Sequence, residues 1–443
     1  MDFQAKIVPA AFLAGVAIFL ITRGQKRKKK LFLSPLNNAA GFPIKRPAPK
    51  TSDAYPHINS INDLHRLSAD QPGVPSPLPP LLSRDFKRVD LNDLRVLQFN
   101  LLARGLSSPP ANGGFVLTPA ASLNFDGYRR YRLLEEILRF QPDIVTLEEL
   151  DQYDDFFEPL MNKFGYDSVY QPKLDAPGLT VWNEKMKEED KSQQVPYNSD
   201  GSAIFWRRDI LEGVDCHSMN FKSEKDEPWS QVAVTVRLLN KKNKKTFLVA
   251  CTHLKAKPLY EKRRVQQITQ LLDRFFSMRL FDTEPLILTG DFNADPDTRE
   301  AQPNVYETTS KKMNSSYKLF YGAEPAFTTC KVRKKGESCH TIDYIFVSNG
   351  VHVTSCLSVP TRESLPKERI PTWSYPSDHL SIGADVNLWP SPPPTEKEKK
   401  EKKKKDAIGR IHHYDTAARD AAVAEDKKFE RSEGNRYIQN DDL

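Results

Sequence analysis

The chain has 443 residues, enough for two average domains, with a hydrophobic share of 39% and 33 prolines concentrated near residues 35–83 and 390–394. The formal net charge is +7, but residues 23–50 hold nine basic and no acidic side chains, so the rest of the chain is slightly acidic. That balance weighs against a sequence-indifferent nucleic-acid binder, which carries a broad basic footprint. Five cysteines, Cys216, Cys251, Cys330, Cys339 and Cys356, are odd in number and outside any tight ligand spacing, so they read as reduced cytosolic thiols.

Ile7 to Thr22 is a run of sixteen uncharged, mainly apolar residues, followed by Arg23 and Lys26 to Lys30. It predicts a membrane anchor with a basic flank over residues 1–30, short against the ~20 residues of a bilayer span but extended by snorkelling of Lys6. Charge on the C-terminal side leaves the bulk of the protein in the cytosol, on either the outer mitochondrial membrane or the endoplasmic reticulum. Residues 31–88, rich in Pro, Asn and Ser without sustained periodicity, predict a disordered linker.

The body follows one grammar. Leu94 to Asn100 alternates into a strand, and Tyr128 to Phe140 spaces Leu133, Leu134, Ile137 and Leu138 as an amphipathic helix. A strand from Pro142 ends at Glu148 and Glu149; others start at Gly201, Val232 and Phe247, the last ending at His253. A helix over Glu261 to Phe276 leads to the apolar run Pro285-Leu-Ile-Leu-Thr-Gly-Asp-Phe-Asn293. If the extended conformation persists through Phe292, Asp291 and Asn293 share one face. A strand carrying Asp343 and the segment Pro376-Ser-Asp-His379 before a final strand complete the body. Residues 391–443 form a charged, low-complexity tail.

Polar clusters thus sit at six strand ends: Asn100, Glu149, His253, Asp291 with Asn293, Asp343, and Asp378 with His379. Scattered oxygen ligands plus imidazoles, without paired cysteines, favour a hard ion such as Mg²⁺ or Mn²⁺ over structural zinc. His340 beside Cys339 lacks a second Cys-His pair and reads as a packed loop residue. No nucleophile-elbow motif supports serine catalysis.

The ordered set Phe99-Asn100-Leu101-Leu102-Ala103, Glu148-Glu149, Thr252-His253-Leu254-Lys255, Gly290-Asp291-Phe292-Asn293, Asp343-Tyr344 and Ser377-Asp378-His379 resembles the exonuclease-endonuclease-phosphatase superfamily over about residues 94–390, which implies a catalytic domain at 89–390. Gln171-Pro-Lys173, His253-Leu-Lys-Ala-Lys257, Ser316-Tyr-Lys318, Phe327-Thr-Thr329 and Tyr375-Pro-Ser-Asp-His379 resemble its deadenylase-related branch. The resemblance implies an α/β fold, a four-layer sandwich of two packed mixed β-sheets flanked by helices. It implies Mg²⁺ held by Glu149 with Asn100 and Asp378, Asp291 acting on water, Asn293 donating to a phosphate oxygen and His379 held by Asp343. His253 would stabilise charge or protonate the leaving group. Lys173, Lys255 and Lys257 become candidate phosphate contacts in a phosphatase removing the 2′-phosphate of NADP⁺ and NADPH. Two departures stand out. Lys257 replaces Arg, a point charge for a bidentate fork. Glu148 replaces Gln, raising metal affinity or only facing solvent. Two other functions use the same residues or none of them: a 3′ exoribonuclease acting on poly(A), and a membrane-tethered scaffold without turnover.

Overall fold

The computed structural model describes residues 55–107, 114–174 and 199–390. The predicted anchor, the linker up to residue 54 and the tail from 391 lie outside the described residues. Among the described residues no helix is long and apolar enough to cross a membrane.

In chain order the strands are β1 (Leu94–Asn100), β2 (Ile144–Leu150), β3 (Tyr166–Pro172), β4 (Gly201–Arg207), β5 (Leu211–Lys222), β6 (Pro228–Asn240) and β7 (Thr246–His253). They continue as β8 (Leu286–Asp291), β9 (Asn314–Ser315), β10 (Thr329–Arg333), β11 (Gly336–His340), β12 (Asp343–Val347), β13 (His352–Cys356) and β14 (Ile382–Asn387). A first sheet has the order β13-β14-β1-β2-β4-β3, a second β5-β6-β7-β8-β12-β9, and β10 and β11 form a separate hairpin. Both large sheets are mixed: β1 and β2 run parallel, as do β7 and β8, while the other neighbours are antiparallel.

Alternation decides which side chains fill which layer. In β1, Leu94 and Val96 face the second sheet, together with Ile144, Val249, Ile287 and Ile345. Leu97 and Phe99 face outward onto a layer with Leu133, Leu134 and Ile137 of helix α2 (Arg130–Leu138). On the far side, Leu286 and Leu288 of β8 pack against Ile268, Leu271 and Leu272 of a later 17-residue helix, Glu261–Ser277. Three apolar layers between four strata of structure make the expected sandwich.

The folded region begins before residue 89, which corrects the predicted extent of the linker. Helix α1 (Ile61–Ala69), capped by the Ser60 side chain, packs on α2 and buries Leu64, and Ile58 joins the same apolar layer. Arg84 then donates to Ser358 O at 2.8 Å and Ser381 Oγ at 2.9 Å, fastening residues 80–88 to the first sheet. The prolines concealed a helical spacing of Ile61, Leu64 and Leu67. A second correction concerns the thiols. Cys330 and Cys339 lie opposite each other in the β10-β11 hairpin and are joined as a disulfide, while the buried Cys251 and Cys356 keep their thiols.

Candidate active site

The period of two that fills the inter-sheet layer also builds the site. Continuing the inward parity of Leu94 and Val96 brings Gln98 and Asn100 into the gap between sheets, and the parity of Val249 and Cys251 brings in His253. Ile287 leads likewise to Asp291, and Ile345 leads back to Asp343. Parallel pairing sets His253 beside Asp291, and antiparallel pairing sets Asp343 beside Asp291. Gly290 makes this register possible. A Cβ there would lie 2.0 Å from Thr252 O, and φ is +151°.

Glu149 arrives by another route. Simple alternation would turn Glu148, not Glu149, into the gap. The register of β2 shifts between Leu147 and Leu150, and Glu149 takes φ +52°, so both acids turn toward the site end at different depths. Glu149 is half-buried and accepts from Ala103 N at 3.0 Å and Asn100 Nδ2 at 3.3 Å. Glu148 is fully buried, neither facing solvent nor facing the rim, and accepts from Gln98 Nε2 at 2.7 Å and Cys251 Sγ at 3.1 Å. Burial drives its carboxyl well above the ordinary range, toward the neutral form, so it adds little negative charge beside Glu149.

Asp291 is the centre of the cluster. Its Oδ2 accepts from Asn100 Nδ2 at 3.0 Å and lies 3.5 Å from His253 Nε2 and 3.8 Å from His379 Nε2. Burial, then the nearby Asp343 charge, pushes its pKa up to about 7. His379 Nδ1 donates to Asp343 Oδ2 at 2.9 Å, and Asp343 is held in turn by Thr328 Oγ1 at 2.6 Å and Gln98 Nε2 at 3.1 Å. Burial opposes a charged His379, but Asp343, Asp378 and Asp291 outweigh it and raise its pKa to about 10. His253 goes the other way. Burial, Lys173 and His379 push it well below its ordinary value, and Lys173 Nζ lies 3.3 Å from Nδ1, leaving Nε2–H to face Asp291. Of the two roles expected of His253, a neutral imidazole suits stabilising charge through Nε2–H better than protonating the leaving group.

The structure sorts the remaining candidates. The extended conformation ends before Asn293, which has φ +52°; its N donates to Asp291 Oδ1 at 2.8 Å and its Nδ2 to Leu254 O at 3.1 Å. Asp378 meets Lys331 Nζ at 2.5 Å and Arg333 Nη2 at 3.3 Å. Burial opposes its charge, yet Lys331, His379 and Arg333 hold its carboxyl well below the usual range. Lys173 is buried against Asp200, Lys255 lies over the Tyr260 ring, and Lys257 is exposed with φ +80°. His340 is not packed in a loop: it ends β11, exposed, with Nδ1 2.7 Å from Asp295 Oδ2. Lys331 and Arg333 were not among the sequence candidates. With Thr329 they alternate along β10, and that period of two was the available signal.

The donor set fits a hard divalent cation. Glu149 and Asp291 converge on one Asn100 amide, so the site gathers the oxygen donors that a hard ion takes. Asp291, Asp343 and His379 also approach one another closely enough to share an ion. Within that trio Asp343 and His379 are joined by a direct hydrogen bond. Beside the cluster a cleft of about 1370 Å³ is lined by Lys257, Asn293, Thr329 and Lys331 on the near side.

Residues 97–379 match the profile of the Endonuclease/Exonuclease/phosphatase family. Nocturnin from Xenopus laevis is 36% identical over 298 residues, covering 66% of this chain and 72% of that protein. The solved structure of the human nocturnin catalytic domain with a bound sulfate anion superposes with a TM-score of 0.54 at 31% identity, over 69% of this chain and 96% of that one. Ccr4, the 3′-5′-exoribonuclease subunit of the CCR4-Not complex in Mycosarcoma maydis, is 25% identical over 391 residues, covering 71% of this chain and 55% of that protein.

Proposed function

The chain belongs to the endonuclease/exonuclease/phosphatase family and is a nocturnin-like phosphoester hydrolase, and within that class we propose that it removes the 2′-phosphate of NADP⁺ and NADPH. The observation that carries this choice is the mixed charge of the cleft. Lys257, Arg299, Lys318 and Lys331 serve a few phosphates, whereas Asp295, Asp297, Glu300, Glu307 and Glu324 line the same chamber and repel a continuing polyanion. Sulfate, a tetrahedral dianion, binds the human nocturnin catalytic domain, which supports a phosphate-sized anion site here.

In this mechanism Glu149, with Asn100, would hold Mg²⁺ or Mn²⁺, whose charge offsets that of the phosphate and the leaving oxygen. Asp291, with a pKa near neutrality, takes the proton of the attacking water. His379, charged and fixed by Asp343, donates through Nε2 to a phosphoryl oxygen as negative charge builds there. His253 donates through Nε2–H without changing its protonation. Asn293 keeps one amide hydrogen on Leu254 O and offers the other to phosphate. Asp378 acts through Lys331 and His379, sustaining their charge and orientation, and Lys255 and Lys257 meet the remaining phosphates.

The test is incubation of the full chain with Mg²⁺ and either NADPH or oligo(A). Phosphate release from NADPH without oligo(A) shortening is the expected result. Shortening of oligo(A) with no phosphate from NADPH would overturn it in favour of the exoribonuclease activity that the Ccr4 relationship favours. The apolar run and basic flank of residues 1–30 lead us to propose membrane anchoring with a cytosol-facing catalytic domain. Imaging a fusion of residues 1–50 checks this, and a diffuse signal would remove it.

A further inference from the structure

Arg129, the last residue of the helical turn Phe125–Arg129 that runs into α2, is completely buried. A buried guanidinium ordinarily meets a carboxylate, since an uncompensated internal charge is expensive. Its hydrogen bonds go elsewhere. Nη1 donates to Leu101 O at 2.7 Å and Pro376 O at 3.4 Å, and Nη2 donates to Leu102 O and Ser107 Oγ, both at 2.7 Å. Burial lowers its pKa to about 10, while Asp151, Asp378 and Glu149 act through space to keep it charged.

Apart from Ser107, which ends the short helix Arg104–Ser107, these acceptors belong to two turns that the chain brings together from opposite ends of the domain. In the first, Leu102 stands at φ +58°, its N donates to Asn100 Oδ1 at 3.0 Å, and Ala103 N donates to Glu149 Oε2 at 3.0 Å. The turn therefore orients both residues assigned to the metal. In the second, Pro376 precedes Ser377, whose Oγ donates to Asn100 O at 2.6 Å and accepts from His379 N at 3.2 Å. One planar fork grips both.

We propose that Arg129 is a positioning residue that joins the Asn100–Ala103 turn to the Pro376–His379 turn and so sets the placement of Glu149 and Asn100 for the divalent cation. It touches neither substrate nor ion. A lysine offers a point charge and cannot span the same acceptors in one plane. Outer hydrogen-bond partners of metal ligands typically govern affinity by ~10- to 100-fold. This assignment rests on the metal-dependent reading of the site, but not on which phosphoester is cleaved.

The experiment compares the full chain with R129K, R132K and S107A, titrating Mg²⁺ by thermal shift and by calorimetry without substrate. Arg132 is the control, since it is equally buried on α2 but bonds Pro79 O and Glu135, away from the site. R129K is expected to need about 10-fold more Mg²⁺ for half-saturation, at the low end of the range for such partners. R132K should lower the melting temperature and leave Mg²⁺ binding at the wild-type value. S107A removes one acceptor with little loss of volume and should raise the Mg²⁺ requirement about 3-fold, as for loss of one hydrogen bond, which decides the matter should R129K not fold. Wild-type Mg²⁺ affinity in R129K, or in S107A where R129K is unfolded, overturns the proposal, as does an equal change in R132K. No Mg²⁺ response in the wild type overturns it together with the metal reading. Failure on NADPH is read in a separate assay.

Discussion

The two sheets contribute to one site in different ways. The second sheet presents His253, Asp291 and Asp343 by plain alternation at the edges of β7, β8 and β12. The first sheet presents Asn100 by the alternation of β1, but Glu149 and His379 through departures from regular structure: a bulge with a left-handed acid, and a segment preceding β14. Groups delivered by alternation inherit the rigidity of the ladder. Groups delivered by irregular backbone have to be tied by hydrogen bonds, and Arg129, Ala103 and Ser377 do this. In the proposed mechanism the second sheet handles the proton, and the first orients the cation and the charged imidazole.

The largest effect that would sharpen this division is Asp291→Asn. Removing the base should lower kcat by about 10³-fold, within the usual range for general-base loss, while Mg²⁺ still produces a thermal shift. Glu149→Gln should cost about 10²-fold in kcat/KM and abolish most of that shift, since a first-sheet ligand is lost. If the two variants gave the same Mg²⁺ titration, the division between sheets would be broken.

The pH profile is the next discriminator. Asp291 works as its carboxylate, so activity should rise with pH through a limb at about 7 or below. A nearby cation favours the ionised form, so raising Mg²⁺ should move this limb lower. His379 works protonated, and activity should fall as pH passes about 10. A flat kcat/KM profile between pH 5 and 9 at low Mg²⁺ would contradict the assignment to Asp291. The smallest effect is expected of Thr328→Val. It removes the hydroxyl bond to Asp343 at 2.6 Å and should reduce kcat roughly 10-fold, the worth of a charge-assisted hydrogen bond, with little change in Mg²⁺ half-saturation. A larger change in Mg²⁺ binding than in kcat would place Asp343 with the cation.

What was legible from sequence divides along the same line. The strands with strong alternation, β1, β7, β8 and β12, and the helix Glu261–Ser277 all appeared near their observed positions. So did the meeting of Asn100, His253, Asp291 and Asp343, because alternation carries face as well as conformation. Strand β5 escaped because it edges the second sheet and its side chains are mostly half-exposed, leaving no continuous apolar pattern. The turn at Asn293 was hidden because an acid and an amide two residues apart fit either a strand or an Asx turn. Glu148 was beyond local reading, since its burial depends on Gln98 and Cys251 from other strands. Arg129 carries no local signal of its role, since its burial comes from the closing of two distant turns around it.

The close approach at Gly290 has a mechanical consequence. With no side chain between β8 and the Thr252 carbonyl, the strands bearing His253 and Asp291 lock at their tips and travel as one body. A relative shift of the two sheets would then leave the His253–Asp291 pairing intact and fall on the seam between the sheets. The Asp343–His379 hydrogen bond spans that seam. It is the gauge by which small relative movements of the two halves reach the phosphate.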